Sequence, residues 1–157
     1  MKRIKVLHLT STPKGLGGAE KLLIDMADKY DPDLFDVSYC NIFSEDPVNG
    51  IFERSLRSKG VNVHSFSGKS IFSLPSLILR LRKLIVQNNI DILHSHLLHA
   101  TIIGAAVAST IPSLKVAVTK HYTEDLVSDR KLLFFSINLQ QNKLIVSWPS
   151  QISYAQS

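Results

Sequence analysis

The sequence has a single cysteine, Cys40, among its 157 residues. No disulfide can therefore form within the chain, and we expect the protein to be cytoplasmic, where thiols stay reduced. A secretory signal is not indicated either. The apolar run at residues 6–9 is interrupted by His8 and ends at Thr10, so it is too short for the apolar segment of such a signal.

Aromatic residues are also scarce, because they make up 8% of the chain and Trp148 is the only tryptophan. A nucleic-acid binder would combine a basic stripe with aromatic side chains that stack on bases. We therefore predict no nucleic-acid partner. The formal net charge of +5 still favours other anionic partners, such as nucleotides or an anionic membrane surface.

Long hydrophobic runs are few, and the longest stretch without a charged residue is residues 92–114. Its length would be enough to cross a bilayer. However, it contains three histidines and several hydroxyl side chains, and Pro112 closes it. Because parallel strands that are covered on both faces are apolar throughout, we predict a buried strand followed by a buried helix.

Only seven glycines occur, yet Gly15, Gly17 and Gly18 all follow a predicted first strand at residues 4–10. Glycine lets backbone N–H groups approach a ligand, and the helix that begins at Gly18 adds the partial positive charge of its amino end. We interpret this segment as a loop that binds a phosphate or another anion. The alternative is that the glycines only permit a tight turn and close packing of helix on strand.

Two familiar phosphate-binding motifs do not fit this loop. A dinucleotide fingerprint requires a third glycine at position 20, where the chain has Glu20. A P-loop requires Gly-Lys-Ser/Thr where Glu20, Lys21 and Leu22 stand. The loop is therefore of neither the NAD-binding nor the ATPase kind.

Predicted strands and helices alternate along the chain, which is typical of a parallel sheet with crossover helices. The predicted strands are residues 4–10, 35–43, 61–66, 91–95, 115–119 and 143–147, and the predicted helices are residues 18–30, 51–58, 77–87, 100–110 and 131–140. We predict one α/β domain, residues 1–157, with a doubly wound, mainly parallel Rossmann-like sheet and helices on both faces. In that fold the first and fourth strands are neighbours, and ligands bind at their carboxyl ends.

Four histidines are expected at that ligand-binding edge. His94, His96 and His99 lie at or just after the end of the fourth strand, and His121 follows the fifth. Residues 94 and 96 share one side of a strand, and together with the glycine loop they predict an anion-binding crevice. The alternative for any one of them is an ordinary hydrogen-bonded histidine at a strand end.

A metal site is the other chemistry that histidines favour. No carboxylate lies close in sequence to His94 and His96, and no His/Glu pair at helical spacing occurs. We therefore predict no metal site. His8 and His64 are interpreted as structural, because nothing in the sequence places them at the crevice.

Three segments, in this order, resemble the amino-terminal domain of the family-four glycosyltransferases, which have the GT-B fold. They are GGAEKLLIDMADKY (residues 17–30), DILHSHLLHATIIGAAVA (residues 91–108) and KVAVTKHYTED (residues 115–125). The resemblance extends from Ile4 to about Ser147. It implies an enzyme of two Rossmann-like domains that transfers a sugar from a nucleotide-sugar donor with retention at the anomeric carbon, without a metal or other cofactor.

The resemblance also implies roles for individual residues. This chain would bind the acceptor, either a glycan or a lipid-linked molecule of polysaccharide biosynthesis. Gly17 and Gly18 would approach the donor phosphates or the acceptor. His96 would lie beside the reacting sugar as the catalytic residue, and His121 would be the matching substrate-binding position after the fifth strand.

The segments that match this family stop short of its second domain, which carries most contacts to the nucleotide sugar. We therefore expect a truncated gene product, a fragment or one partner of a split enzyme, inactive without a separate carboxy-terminal domain. The alternative is a non-enzymatic Rossmann-like or flavodoxin-like module that binds a nucleotide or a phosphate.

The predicted helix at residues 77–87 is basic and amphipathic, because Arg80, Arg82 and Lys83 accompany its leucines. Helices of this kind lie on anionic membranes, which would bring the protein to the inner face of the cell membrane. The alternative is that the leucine face packs on the sheet while the basic side chains are solvated.

Overall fold

Strands and helices alternate along the chain in the computed structural model, which describes residues 2–12, 14–67, 74–119 and 144–147. The strands within these ranges are β1 (Ile4–Thr10), β2 (Phe35–Asn41), β3 (Asn62–Ser65), β4 (Ile92–His96), β5 (Lys115–Thr119) and β6 (Leu144–Ser147). The helices are α1 (Gly18–Met26), α2 (Ile51–Arg57), α3 (Leu74–Asn88) and α4 (Leu98–Ala108).

The described strands form one parallel sheet in the order β3-β2-β1-β4-β5-β6. The chain builds outward from β1 to β3 and then returns to place β4 on the other side of β1. Because crossovers between parallel strands are right-handed, this reversal places α1 and α2 on one face and α3 and α4 on the other. The predicted Rossmann-like fold is confirmed, and so is the pairing of the first and fourth strands.

The larger hydrophobic cluster fills the face that α3 and α4 cover. It joins Leu7, Leu9 and Leu93 of the central strands to Leu81 and Ile85 of α3 and to the buried side of α4. Because side chains alternate across a strand, the neighbours of these leucines along β1 and β4 point to the opposite face.

The smaller cluster lies on that opposite face, under α1 and α2. It contains Leu23 of α1, Tyr39 of β2, and Phe52 and Leu56 of α2. Tyr39 lies opposite His8 in the register of β1 with β2, so a histidine of the central strand borders this cluster.

The uncharged stretch at residues 92–114 forms a strand and a helix, as predicted. Its helix, α4, is 11 residues long, and no described helix has the length and apolar character needed to cross a membrane. Gly104 lets α4 approach the sheet closely, because a Cβ atom at this position would lie 2.6 Å from the Oγ atom of Ser95.

Every described helix differs from its prediction at one end or at both, and the largest differences are at the end of α1 and the start of α3. α1 ends at Met26 rather than at residue 30, because the next hydrogen bonds join residues three apart and form a tighter turn. α3 begins at Leu74 rather than at residue 77, since Pro75 is tolerated in the first turn of a helix. The helix predicted at residues 131–140 lies outside the described residues.

The apolar side of α3 packs on the sheet, as one of the two interpretations of this helix predicts. Its buried residues are Leu77, Leu81 and Ile85. Leu79 lies on the other side of the helix and is 67% exposed. The guanidinium of Arg80 lies 4.4 Å from the ring centre of Phe66, which is a cation–π contact.

Leu81→Ala is expected to lower the free energy of unfolding by about 2–5 kcal/mol, because it leaves a cavity in the larger cluster. Leu79→Ala is a matched control on the same helix, and its effect is expected to stay within about 0.5 kcal/mol. Urea unfolding followed by circular dichroism measures both variants. Equal losses in the two would contradict the packing of α3 described above.

Candidate functional site

The loop between β1 and α1 is tied to the end of β2. The backbone N–H of Thr12 donates to Oδ1 of Asn41 at 3.0 Å, and Nδ2 of Asn41 donates to the carbonyl of Thr12 at 2.8 Å. Gly15 has a φ of 78°, in the left-handed region that glycine adopts without a steric cost. These contacts give the glycine loop a defined position at the carboxyl edge of the sheet.

Glu20 caps the amino end of α1. Its carboxylate accepts a hydrogen bond from the N–H of Gly17 at 2.9 Å and another from the hydroxyl of Thr12. Glu20 is 5% exposed. A negative charge is stabilised at this end of a helix, and here Glu20 supplies it. A bound anion would therefore gain less from the amino end of α1 than the sequence predicts.

Gly17 and Gly18 differ in the space beside them. A Cβ atom on Gly17 would lie 2.7 Å from Oε2 of Glu20, whereas no described atom lies within 4 Å of a Cβ atom on Gly18. A side chain at position 17 would therefore shift the carboxylate of Glu20 from its present place. Gly18 borders open space, which a ligand can enter.

The same Gly-x-x-Glu arrangement occurs after β2. Gly50 precedes α2, and a Cβ atom on it would collide with the carboxylate of Glu53, which is 2% exposed. Oε1 of Glu53 accepts hydrogen bonds from Nδ2 of Asn41 at 3.0 Å and from the hydroxyl of Ser65 at 3.1 Å. Asn41 thus joins both loops, and the carboxyl ends of β1, β2 and β3 share one polar network.

A cavity of about 310 Å³ opens beside this network. Its walls come from both loops and include Thr12, Lys14, Ser44 and Ile51. Its volume is at the lower end of the range of small-molecule sites. It lies at the carboxyl edge of the sheet, where the ligands of doubly wound folds bind.

Three histidines meet on the α1 face of the sheet. His8 lies opposite His94 in the register of β1 with β4, and His96 follows two residues later on β4. Nδ1 of His8 and Nε2 of His96 share a hydrogen bond of 2.9 Å. The ring centres of His94 and His96 are 4.2 Å apart, and those of His8 and His94 are 4.9 Å apart. We call these three residues the histidine cluster.

Hydroxyl groups and an aromatic ring hold the histidine cluster in place. The hydroxyl of Tyr30 shares a hydrogen bond of 2.9 Å with Nε2 of His8, and the hydroxyl of Thr119 shares one of 2.8 Å with Nε2 of His94. The ring of Tyr39 stacks on His8 with 5.0 Å between the ring centres. A chain of hydrogen bonds therefore links Tyr30 to His96 through His8.

Burial keeps His8 uncharged. Loss of hydration is the main cause, and the neighbouring His94 adds to it, so that the pKa of His8 falls from 6.5 to about 3. A neutral imidazole donates at one nitrogen and accepts at the other. His8 can therefore link Tyr30 to His96 without carrying a charge.

The structure places three of the predicted site residues at the carboxyl ends of two neighbouring strands. His96 lies at the end of β4, 3% exposed, and Gly17 and Gly18 lie in the loop after β1, which is the neighbouring strand. His99 is exposed at the start of α4 and is not part of the histidine cluster. His121 lies outside the described residues.

Sequence reasoning missed four residues of this region. His8 was interpreted as structural, yet it contacts His96, and the expected pairing of β1 with β4 is the signal that could have shown it. Glu20 was missed as a cap of α1 and Glu53 as a buried partner of Asn41, although each lies three residues after a glycine at a helix start. Asn41 carries no local signal, because its partners come from three different segments.

Known proteins resemble this chain in sequence and in fold. The sequence profile described as "Glycosyl transferase 4-like" matches residues 25–147. A comparison with curated protein sequences found no match. Among solved structures, Anabaena HepE in complex with UDP and glucose is 25% identical with a TM-score of 0.63, and the alignment covers 92% of this chain and 38% of HepE.

Two further structures share the fold. A glycosyltransferase from Rickettsia africae is 17% identical with a TM-score of 0.69, over 93% of this chain and 37% of that protein. MurG from Acinetobacter baumannii is 11% identical with a TM-score of 0.66, over 98% of this chain and 43% of MurG. The chain thus spans less than half the length of each of the three structures.

The free energy of unfolding is expected to fall as the pH decreases from 6.5 towards 3. In this window His8 binds a proton in the unfolded chain, with its ordinary pKa of 6.5, but not in the folded protein, where its pKa is about 3. This one group contributes a slope of at most about 1.4 kcal/mol per pH unit. Urea unfolding at a series of pH values across the window measures the slope.

His8→Phe keeps a ring in the site and should flatten this slope. His99→Phe makes the same substitution at an exposed histidine outside the cluster and is the matched control. A slope that is the same in His8→Phe as in the unaltered chain would contradict the assignment to His8.

Proposed function

The chain belongs to the glycosyltransferase 4-like family, and on that premise we propose that it forms the acceptor-binding half of a retaining enzyme. Family and fold support sugar transfer in general. One observation supports the finer proposal. The loop with Gly17 and Gly18 follows β1, and His96 ends β4, which is the neighbouring strand. This edge is the ligand-binding edge of doubly wound sheets.

In the proposed role, Gly18 is the point at which the substrate comes closest to the backbone. It is the first residue of α1 and borders open space. The carboxylate of Glu20 already lies at the amino end of α1, and it would repel a bare phosphate. The loop therefore suits the hydroxyl groups of a sugar, and the donor phosphates are assigned to groups elsewhere in the cleft.

His96 is proposed as the catalytic residue beside the reacting sugar. The hydrogen bonds from Tyr30 through His8 restrict the position of its ring. A restrained imidazole can donate to or accept from a sugar hydroxyl in a fixed geometry, and such orientation is a large part of enzymatic acceleration. His121, which follows β5, is proposed as a second substrate contact on the strength of the family resemblance.

A nucleotide sugar is the proposed donor. The structure of HepE contains UDP and glucose, and its 25% identity to this chain supports a UDP-sugar. The acceptor is proposed to be a glycan or a lipid-linked molecule. The cavity of about 310 Å³ beside the glycine loop, with Lys14 and Ser44 in its walls, offers a place for the polar part of such an acceptor.

Contact with the cytoplasmic face of a membrane is part of the proposal. α3 contains no acidic residue, and Arg82, Lys83 and Leu79 are exposed along it. Basic and apolar side chains side by side favour an anionic lipid surface. A membrane-bound enzyme of this kind would meet a lipid-linked acceptor where the acceptor resides.

A second Rossmann-like domain is proposed to complete the cleft, because the chain spans 38% of HepE. Transfer requires donor and acceptor to be held together. The 157-residue chain alone is therefore expected to release no UDP from UDP-glucose above the buffer rate, measured by a coupled assay for UDP. Steady release of UDP by the purified chain alone would contradict the need for a second domain.

Ligand binding is testable without the second domain. Thermal unfolding of the purified chain is measured with UDP, GDP and their sugar conjugates, and a ligand at 100 times its Kd should add about 2.7 kcal/mol of stability. Gly18→Val is expected to abolish the shift with the sugar conjugates yet remain folded, because a Cβ atom there meets open space. His96→Ala should weaken binding of the sugar conjugates, whereas the strand control His64→Ala should not.

The outcomes separate the candidate functions. Binding of a sugar conjugate that is lost in Gly18→Val and weakened in His96→Ala supports the proposal. Binding of UDP or phosphate with no gain from the sugar, and no effect of His96→Ala, favours a non-enzymatic binding module. No shift with any of these ligands in a folded sample favours a half-enzyme that needs its second domain to bind the donor, or a module with a different ligand.

A further inference from the structure

The two buried carboxylates at the carboxyl edge of the sheet differ in how many of their oxygens accept a hydrogen bond. Oε1 of Glu20 accepts from the hydroxyl of Thr12, and Oε2 accepts from the N–H of Gly17. Both oxygens of Glu20 therefore have a donor within the chain. Glu53 also lies three residues after a glycine, but its arrangement is different.

Glu53 has donors at one oxygen only. Nδ2 of Asn41 and the hydroxyl of Ser65 both donate to Oε1, at 3.0 and 3.1 Å. Oε2 lies against Gly50, whose N–H donates instead to the carbonyl of Asp46 at 2.9 Å. Among the described residues, no group donates to Oε2. Because a buried polar atom requires a partner, the donor to Oε2 is a molecule from outside the chain.

The cavity of about 310 Å³ is the place from which such a molecule can reach Glu53. Glu53 and Gly50 both form part of its wall, although Glu53 is only 2% exposed. Because Gly50 has no side chain, the carboxylate can lie at the wall, where a Cβ atom would otherwise collide with Oε2. A buried acceptor with no donor in the chain thus borders a space that suits a small polar ligand.

The described part of the cavity wall is mainly negative. It contains the exposed Glu45 and Asp46 in addition to Glu53, and Lys14 is its one basic residue. Carboxylates repel an anionic ligand. A hydroxyl group donates a hydrogen bond to a carboxylate without a charge of its own. The wall therefore favours the hydroxyl groups of an uncharged sugar over a phosphate or a carboxylate.

We propose that Oε2 of Glu53 accepts a hydrogen bond from a hydroxyl group of an uncharged sugar acceptor, and that this contact selects it over phosphorylated or acidic sugars. The inference rests on the proposed function, which places the polar part of the acceptor in this cavity, and it adds the chemical class of the acceptor. A hydrogen bond to a charged acceptor is about twice as strong as one between neutral groups. One contact of this kind is therefore enough to determine specificity.

The test uses the purified 157-residue chain and free sugars, with no nucleotide present. Methyl glycosides of glucose, galactose, mannose and N-acetylglucosamine are titrated by heteronuclear NMR, each beside its 6-phosphate and its uronic acid. We expect saturable binding of at least one methyl glycoside and about 10-fold weaker binding of its anionic counterparts. No saturable binding of any neutral sugar, or equal binding of the anionic counterparts, would overturn the proposal.

Glu53→Gln separates recognition from packing. Asn41 and Ser65 donate to Oε1, so the amide oxygen stays there and the amide NH₂ takes the place of Oε2. An uncharged donor then replaces a charged acceptor. Binding of the neutral sugar is expected to weaken about 10-fold, while binding of its 6-phosphate strengthens. A purely structural role of Glu53 would weaken both, and that result would contradict the proposal.

Asp28→Asn is the matched control. It makes the same change from carboxylate to amide at an exposed residue that pairs with Lys59 and is not part of the cavity wall. Both affinities are expected to stay as in the unaltered chain. An equal change of selectivity in this variant would contradict the assignment to Glu53.

Deoxyfluoro sugars cover the case in which Glu53→Gln does not fold. In each analogue of the methyl glycoside that binds best, fluorine replaces one hydroxyl group and removes a donor with little change in size. On the unaltered chain, at least one analogue is expected to bind about 10-fold more weakly than the parent sugar. Equal affinity of every analogue would overturn the contact.

The outcomes also separate this inference from the proposed function. A folded chain that binds nucleotide sugars but does not select neutral free sugars keeps the proposed function and contradicts this inference. A chain that binds neutral sugars through Glu53 but binds no nucleotide sugar supports this inference alone.

Discussion

The pairing of β1 with β4 is the constraint on which the rest of the structure depends. It joins the two halves of the chain at the centre of the sheet, and it places residues that are 86 apart in sequence, His8 and His94, side by side. It also brings the loop after β1 next to the end of β4. Because both strands run parallel, every polar group at their carboxyl ends meets at one edge.

That edge is held by buried polar groups rather than by apolar packing. Glu20 and Glu53 are both buried. Glu20 caps α1 and accepts a hydrogen bond from Thr12, whereas Glu53 accepts hydrogen bonds from Asn41 and Ser65. Asn41 connects the two loops. A buried carboxylate is tolerated only when its hydrogen bonds are satisfied, so this network restrains the two loops relative to each other.

Much of the fold could be predicted from the sequence because its signals are local. The strands β1 and β5 have the predicted bounds, since an apolar run between polar residues marks a strand that is covered on both faces. The uncharged stretch separated correctly into β4 and α4. Helix ends were predicted less well, because the last turns depend on hydrogen bonds such as those that end α1 at Met26.

The sequence by itself determined the order of strands and helices, the doubly wound topology, the glycine loop and the position of His96 at a strand end. Only the tertiary structure decided what these residues contact. It placed His8 against His96, with Tyr30 behind it, and it placed Glu20 at the helix end that the sequence left open for a ligand. The physical reason is that periodicity and spacing act over a few residues, whereas these contacts depend on strand register and on the satisfaction of buried polar groups.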